Sequence, residues 1–319
     1  MEILDFTKEW IAEAEELLVE NYKEEKACVP CLPQITEWPE LGLFAQNGLG
    51  VAAVEDGKLL GFLGGYEPFR PVYCTPDTAG VWSPLHAHGA RKENRVAIYR
   101  RLYQAAGAKW AAAGAASHAV TLFAHDEHAR EAFFMYGFGA RCTDLMRNAE
   151  LRPMPETAKG IRFTELPGER SGELRSLRKA LTEHLSQSPC FMKQHQEDVE
   201  KWLDWREKDA PRMFAALKEE RPVAYLEVVP QGKNGENFIS WQKEMWNICG
   251  AYCLPEERGA GTAAGVLWFL ASTLAKEGAT HLGVDCETIN PTALGFWKKH
   301  FMPYTFSVVR RIDENALLL

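Results

Sequence analysis

At 319 residues, with 46% hydrophobic and 25% charged side chains, the chain has the composition of a soluble globular protein and the length for two domains. Its net charge of −8 works against general binding to nucleic-acid phosphates, and no apolar run reaches membrane-spanning length, so neither a nucleic-acid nor a membrane partner is expected. The opening Met1-Glu2-Ile3-Leu4-Asp5 lacks the basic and apolar regions of a secretion signal and the eight cysteines are scattered, so the expected setting is cytoplasmic and reducing.

Along the chain, Asp5-Phe6-Thr7 opens an amphipathic helical pattern that runs toward Cys28-Val29-Pro30-Cys31. A CxxC pair serves redox chemistry or half of a zinc site, but zinc needs two more ligands and no second pair occurs; the thiols read as incidental to a loop, and no metal is expected. Residues 53–63 read as strand, turn, strand around Asp56-Gly57. A further strand and helix lead to Asp126, Ala129 and Phe133 on a helix that ends near Gly137-Phe138. Pro153 and Pro155 mark a linker at 149–160, dividing the chain into domains 1–148 and 161–319. Arg162-Phe163-Thr164 then restarts the pattern, and residues 216–226 repeat the strand, turn and strand. Two copies of such length suit domains better than a solenoid.

The most informative stretch lies in the second copy. A strand pattern at 246–254 leads into Glu257-Arg258-Gly259-Ala260-Gly261-Thr262-Ala263, and an apolar helix pattern follows at 264–275. Glycines let a backbone approach an anion, and the amides that open a helix are unpaired donors on a favourable dipole, so the segment reads as a phosphate cradle. No Gly-Lys-Ser/Thr follows, which excludes a nucleoside-triphosphate loop, and GxGxxG is absent. Downstream, residues 281–286 read as a short buried strand, and Asn290-Pro291-Thr292-Ala293 opens a helix with proline at its tolerated first position.

With Arg258, Gly261 and Ala263 as Arg-x-x-Gly-x-Ala, and Asn290, Ala293 and Trp297 at the next helix, residues 161–313 resemble the GNAT acyltransferase superfamily. The repeat makes the whole resemble a tandem GNAT protein: an α/β chain of two GNAT-like domains, each a mixed twisted sheet flanked by helices. The resemblance implies acetyl-CoA as acyl donor. Its diphosphate would meet Arg258, Gly259, Ala260, Gly261, Thr262 and Ala263; pantetheine would pair with Tyr252, Cys253 and Leu254 and touch Asn290; Trp297 would pack near the thioester. It also implies direct transfer to an amine, here expected to be that of a small molecule. A noncatalytic acyl-CoA sensor and a protein or peptide N-acetyltransferase are the alternatives.

Acyl transfer to an ammonium needs a base for its proton and a donor for the departing thiolate. The family's tyrosine acid falls on Trp297, whose indole is no proton donor, and the glutamate base of some members falls on Asn247. Tyr304 and Tyr252 are substitute acids; Glu244, Asp285, Glu287, His281 and His300 are acidic or titrating alternatives, with Glu287 preferred as base. Trp202, Trp205 and Trp241 are candidate pocket walls and Trp246 a core residue; residues 184–192 read as the loop between the first two helices of this copy, where the resemblance implies that acceptor specificity is built.

Laid against the second copy, residues 80–90 match 250–260, so His88-Gly89-Ala90 falls under Arg258-Gly259-Ala260, Arg91 under Gly261 and Glu93 under Ala263. A glutamate there opposes a diphosphate, so the first domain is expected to be degenerate and to serve as a wall of the second domain's cleft. Asp126, Ala129 and Phe133 match Asn290, Ala293 and Trp297.

Overall fold

The computed structural model describes residues 1–72, 78–151, 153, 160–230, 237–313 and 315. Most of the expected linker, residues 152 and 154–159, lies outside them. The first half runs β1 (Glu2–Asp5), α1 (Ile11–Cys28), α2 (Gly42–Gln46), β2 (Val51–Glu55), β3 (Lys58–Leu63), β4 (Gly80–Ser83), β5 (His88–Ala90), α3 (Arg95–Ala112), β6 (Ser117–Phe123), α4 (Glu127–Phe134) and β7 (Gly139–Asn148). The second repeats the order with β8 (Ile161–Leu166), α5 (Arg175–Ser186), α6 (Gln196–Lys208), β9 (Arg212–Lys218), β10 (Arg221–Pro230), β11 (Met245–Cys253), α7 (Thr262–Lys276), β12 (His281–Glu287), α8 (Pro291–His300), β13 (Met302–Pro303) and β14 (Thr305–Arg311).

Local chemistry accounts for much of this. β2 and β3 turn at Asp56 and Gly57, both at positive φ (51° and 73°), the backbone a two-residue hairpin requires. β9 and β10 turn the same way at Glu219 and Glu220, where positive φ at two glutamates is tolerated on an exposed tip. α7 is apolar nearly all round because it is covered on several sides: Val266, Leu267, Leu270 and Leu274 are fully buried against β10 and β12 residues such as Leu226 and Leu282.

Among the described residues the strands form two sheets. One has the order β1-β2-β3-β5; the other runs β4-β6-β14-β7-β12-β11-β10-β9-β8, with β13 paired to β7. The larger sheet therefore belongs to both halves. β14, the last strand of the chain, enters the first half between β6 and β7 and is antiparallel to both. In return β7, which ends the first half, pairs along β12 of the second. A separate apolar cluster fastens the halves on one face: Leu18, Tyr22, Leu32 and Leu85 of the first pack with Phe238, Ile239, Met245 and Tyr304 of the second.

No helix among the described residues is long and apolar enough to cross a membrane. Cys28 is the exposed last residue of α1, and Cys31 turns inward, its thiol 3.5 Å from the carbonyl of Met146.

Candidate functional site

β11 and β12 form a fork. They are parallel and paired from Met245–His281 to Ile248–Val284, and then part: β11 continues to Cys253 beside β10, while β12 continues to Glu287 beside β7. Leu254 donates its amide to Val223 on the β10 side. By the alternation of an antiparallel ladder, the amides of Ala251 and Cys253 point the other way, into the gap.

The gap opens upward onto the glycine loop. Arg258 donates Nε to the Cys253 carbonyl at 3.0 Å and lies 5.4 Å from the Tyr252 ring centre, which fixes the start of the loop. Gly259 and Gly261 both have φ of +81°, where a side chain would be strained. Gly261 caps α7 and accepts the amide of Gly265, so the amides of Thr262, Ala263 and Ala264 have no helical partner. The buried hydroxyl of Thr262 also lacks one among the described residues. These donors fit a diphosphate.

Asn290 caps α8, accepting the Ala293 amide at 3.2 Å, and His184 Nε2 lies 3.4 Å from the same oxygen. Trp297 is buried in the core with its ring against Phe296 and Phe301. The loop between α5 and α6, residues 187–195, reaches this end of the fork, with Cys190 Sγ 3.5 Å from the Ile289 carbonyl.

At the base of the fork lies a cavity of about 330 Å³ lined by Asp144, Asn237, Ser240, Asn247, Ile248, Cys249, Val284, Asp285 and Tyr304. Asp144 comes from the first half and stands directly across the strand pair from Asp285. Asp144 is half-buried and Asp285 is exposed to the cavity, and the protein packed around them raises both carboxyls; that of Asp144 is pushed up to about 7, against the pull of hydrogen bonds from Thr305 and Asn237. Tyr304 is buried, with its hydroxyl 3.1 Å from Asn237 Nδ2. Burial, then the nearby Asp144, pushes its phenol well above the ordinary value, so it stays protonated.

Glu287 forms an ion pair with Arg141, which ties up the carboxylate that the sequence favours as base. Of the alternative acids and bases, Asp285 reaches the cavity; Tyr252 stays by the loop, His300 packs between Trp268 and Phe296, and His281 lies at the far end of β12. The tryptophans do not gather into one pocket. Trp241 packs on His86 from the first half, Trp205 is 50% exposed, and Trp246 carries the Arg212 guanidinium, half-buried where a core position is expected.

The equivalent place in the first half corrects part of the sequence comparison. Asp126 does match Asn290: it caps α4 and accepts the Ala129 amide at 2.9 Å. His88-Gly89-Ala90, however, is a strand and not a loop. β5 pairs with β3 as the end of β11 pairs with β10, and the His88 ring is buried, 2.7 Å from the Thr121 carbonyl and 3.0 Å from the Tyr99 hydroxyl. The residue that turns into α3 is Asn94 (φ 55°), which therefore matches Gly261. Between strand and helix the first half has only residues 91–94, where the second has 254–261.

That first fork is also filled by its own helix. Asn21 of α1 hydrogen-bonds both the amide and the carbonyl of Ala90, at 3.1 and 3.0 Å, acting as a strand would on the open edge. Arg95, the first residue of α3, is buried in ion pairs with Glu24 and Asp126 at 2.8 and 3.1 Å. Space and donors that stay open in the second half are consumed here.

Residues 178–301 match the model of the Acetyltransferase (GNAT) family. Among solved structures, a GCN5-related N-acetyltransferase from Sphaerobacter thermophilus superposes over 94% of this chain and 91% of that one, with a TM-score of 0.55 and 14% identity, which shows the shared fold. A GNAT-family acetyltransferase from Colwellia psychrerythraea covers 98% of this chain and 100% of its own (TM-score 0.48, 11% identity). A tandem GNAT protein from the clavulanic acid biosynthesis pathway covers 97% and 98% (TM-score 0.43, 11% identity). No curated protein matches the sequence.

Proposed function

We propose that the protein transfers an acyl group, acetyl in the first instance, from acyl-CoA to a small-molecule amine, with the donor held by the second half alone, where residues 178–301 match the GNAT acetyltransferase family model. The observation that carries this reading is the fork of β11 and β12, open from the glycine loop to the polar cavity, set against a first fork closed by Asn21 and Arg95. Bound acyl-CoA supplies an acyl carbon activated as a thioester.

The chain's own residues divide the remaining work. The amides of residues 259–263 and the Thr262 hydroxyl would hold the diphosphate, and the outward amides of Ala251 and Cys253 would hold pantetheine. From Leu254 to Cys249 the open edge spans roughly 17 Å at the rise of a β-strand, so an extended arm reaches from the loop to the cavity. Asp285, the first β12 residue past the fork, is better placed than Glu287 to take the ammonium proton, since Arg141 holds the latter. Its raised carboxyl suits a base working near neutral pH. Tyr304 is the proton or hydrogen-bond donor on the same cavity. A space of about 330 Å³ walled by both halves suits a small acceptor better than a peptide.

The test is thiol release from acetyl-CoA, followed with a panel of small primary amines. Amine-dependent release supports the transferase; tight acetyl-CoA binding with no turnover on any amine would favour the sensor instead.

A further inference from the structure

The geometry points to a composite acceptor site in which a small cationic amine is held between Asp144, from the first half, and Asp285, from the second. This rests on the reading that the donor occupies the fork beside them, and it adds what the acceptor must carry and which half selects it.

Asp144 and Asp285 are cross-strand partners on β7 and β12, so their side chains share a face and point into one cavity. Like charges directly opposite in a sheet are destabilising, and the half-buried Asp144 carboxylate adds a desolvation cost that a cation between the two would offset. Among the described residues neither carboxylate has an ion-pair partner, and Asp285 raises the cost of ionising Asp144 because the pairing of β7 with β12 brings them together. The Asp144 carboxylate is nevertheless held in position: Oδ2 accepts from Thr305 Oγ1 at 2.5 Å and from Asn237 Nδ2 at 3.0 Å, and Asn237 is in turn bonded to Tyr304. Such support would be wasted on a group whose only effect was repulsion.

A second observation points to the same ligand. Asn247, on the neighbouring strand β11 and lining the same cavity, has a side-chain amide nitrogen shut off from solvent and, among the described residues, without a hydrogen-bond partner. A buried donor left unpaired costs free energy until an acceptor reaches it. The arrangement thus asks for a cation at the two aspartates and an oxygen, hydroxyl or carbonyl, a short distance away. A small hydroxy- or carbonyl-bearing primary amine supplies both. Its nitrogen would then lie at Asp285, the residue proposed to remove its proton.

The experiment is titration of full-length protein, with and without CoA, with ethanolamine, 1,3-diaminopropane and the neutral 1,3-propanediol, read by calorimetry or saturation-transfer NMR. Both amines are expected to bind the wild type, and the diol at least tenfold more weakly. Asp144→Asn and Asp285→Asn, each confirmed as folded by its melting profile, should each weaken amine binding at least tenfold while CoA affinity changes less than twofold. The asparagine at 144 keeps an oxygen for Thr305 and Asn237, and the variant at 285 tests the site independently should 144 not fold. No amine binding to wild type, equal binding of the diol, or unchanged amine affinity in either folded variant would overturn the proposal. Failure of CoA to bind the wild type would instead remove the donor reading, and the amine titration of the CoA-free protein would still report on the aspartates.

Discussion

The Asp144 carboxyl carries a pH dependence whose sign follows from its surroundings. Burial raises it from an ordinary 3.8 to about 7, so between those values the folded chain binds a proton that the unfolded chain has released. Stability should therefore fall as pH rises from 4 to 7, the penalty being absent below the first value and complete above the second; Asp285, raised in the same direction, adds to it. Asp144→Asn should remove its share, raising the melting temperature by a few degrees at pH 8 and by nothing at pH 4. Equal shifts at both pH values would mean that the carboxyl titrates normally. In the sequence Asp144 carries no signal of this role, because it faces Asp285 only through a strand pairing between residues 141 positions apart. The cap residues Asp126 and Asn290 and the glycines of the loop were legible, since their chemistry acts on the backbone within three residues.

At the scale of elements, the two forks show how one topology is left open or closed. Asn21 satisfies two backbone groups of β5, so Asn21→Ala should leave both unpaired in a closed interior and cost about 1–3 kcal/mol, measured by chemical denaturation. It should not create a second CoA site, because residues 91–94 remain too short to cradle a diphosphate and Arg95 still occupies the helix start. A second equivalent of bound CoA in that variant would contradict this account of the first half. The hairpins at Asp56-Gly57 and at 219–220 were readable from alternation and turn chemistry, as was the helix following Gly261. The comparison of the halves failed between strand and helix for a simple reason. The first loop is four residues shorter than the second, and a register carried through without a gap moves a strand, His88-Gly89-Ala90, onto a loop.

For the whole molecule, the exchange of last strands makes each half depend on the other. β14 hydrogen-bonds to β6 and β7, and β7 to β12, so neither half completes its sheet from its own sequence. Ending the chain at residue 303 should expose two strand edges of the first half and abolish soluble expression, and residues 1–150 and 160–319 should be soluble only when produced together. Independent folding of either piece with its native far-UV spectrum would contradict the exchange. Pairing between distant strands leaves no local pattern, which is why the sheet shared between the two halves is not legible in the sequence. This sharing also puts a first-half residue into the second-half cavity.

The proposed acyl-CoA site is single and lies at the loop opening α7. Calorimetric titration of acetyl-CoA into wild type, Gly261→Asn and Gly261→Glu tests it most directly. Asparagine tolerates the positive φ of this position, so its variant isolates backbone strain from the charge that glutamate adds at the diphosphate. One equivalent should bind wild type, with near-normal affinity in Gly261→Asn and a loss of at least about tenfold in Gly261→Glu, the effect of about 1.4 kcal/mol. Two equivalents in wild type, or unchanged affinity in Gly261→Glu, would contradict it.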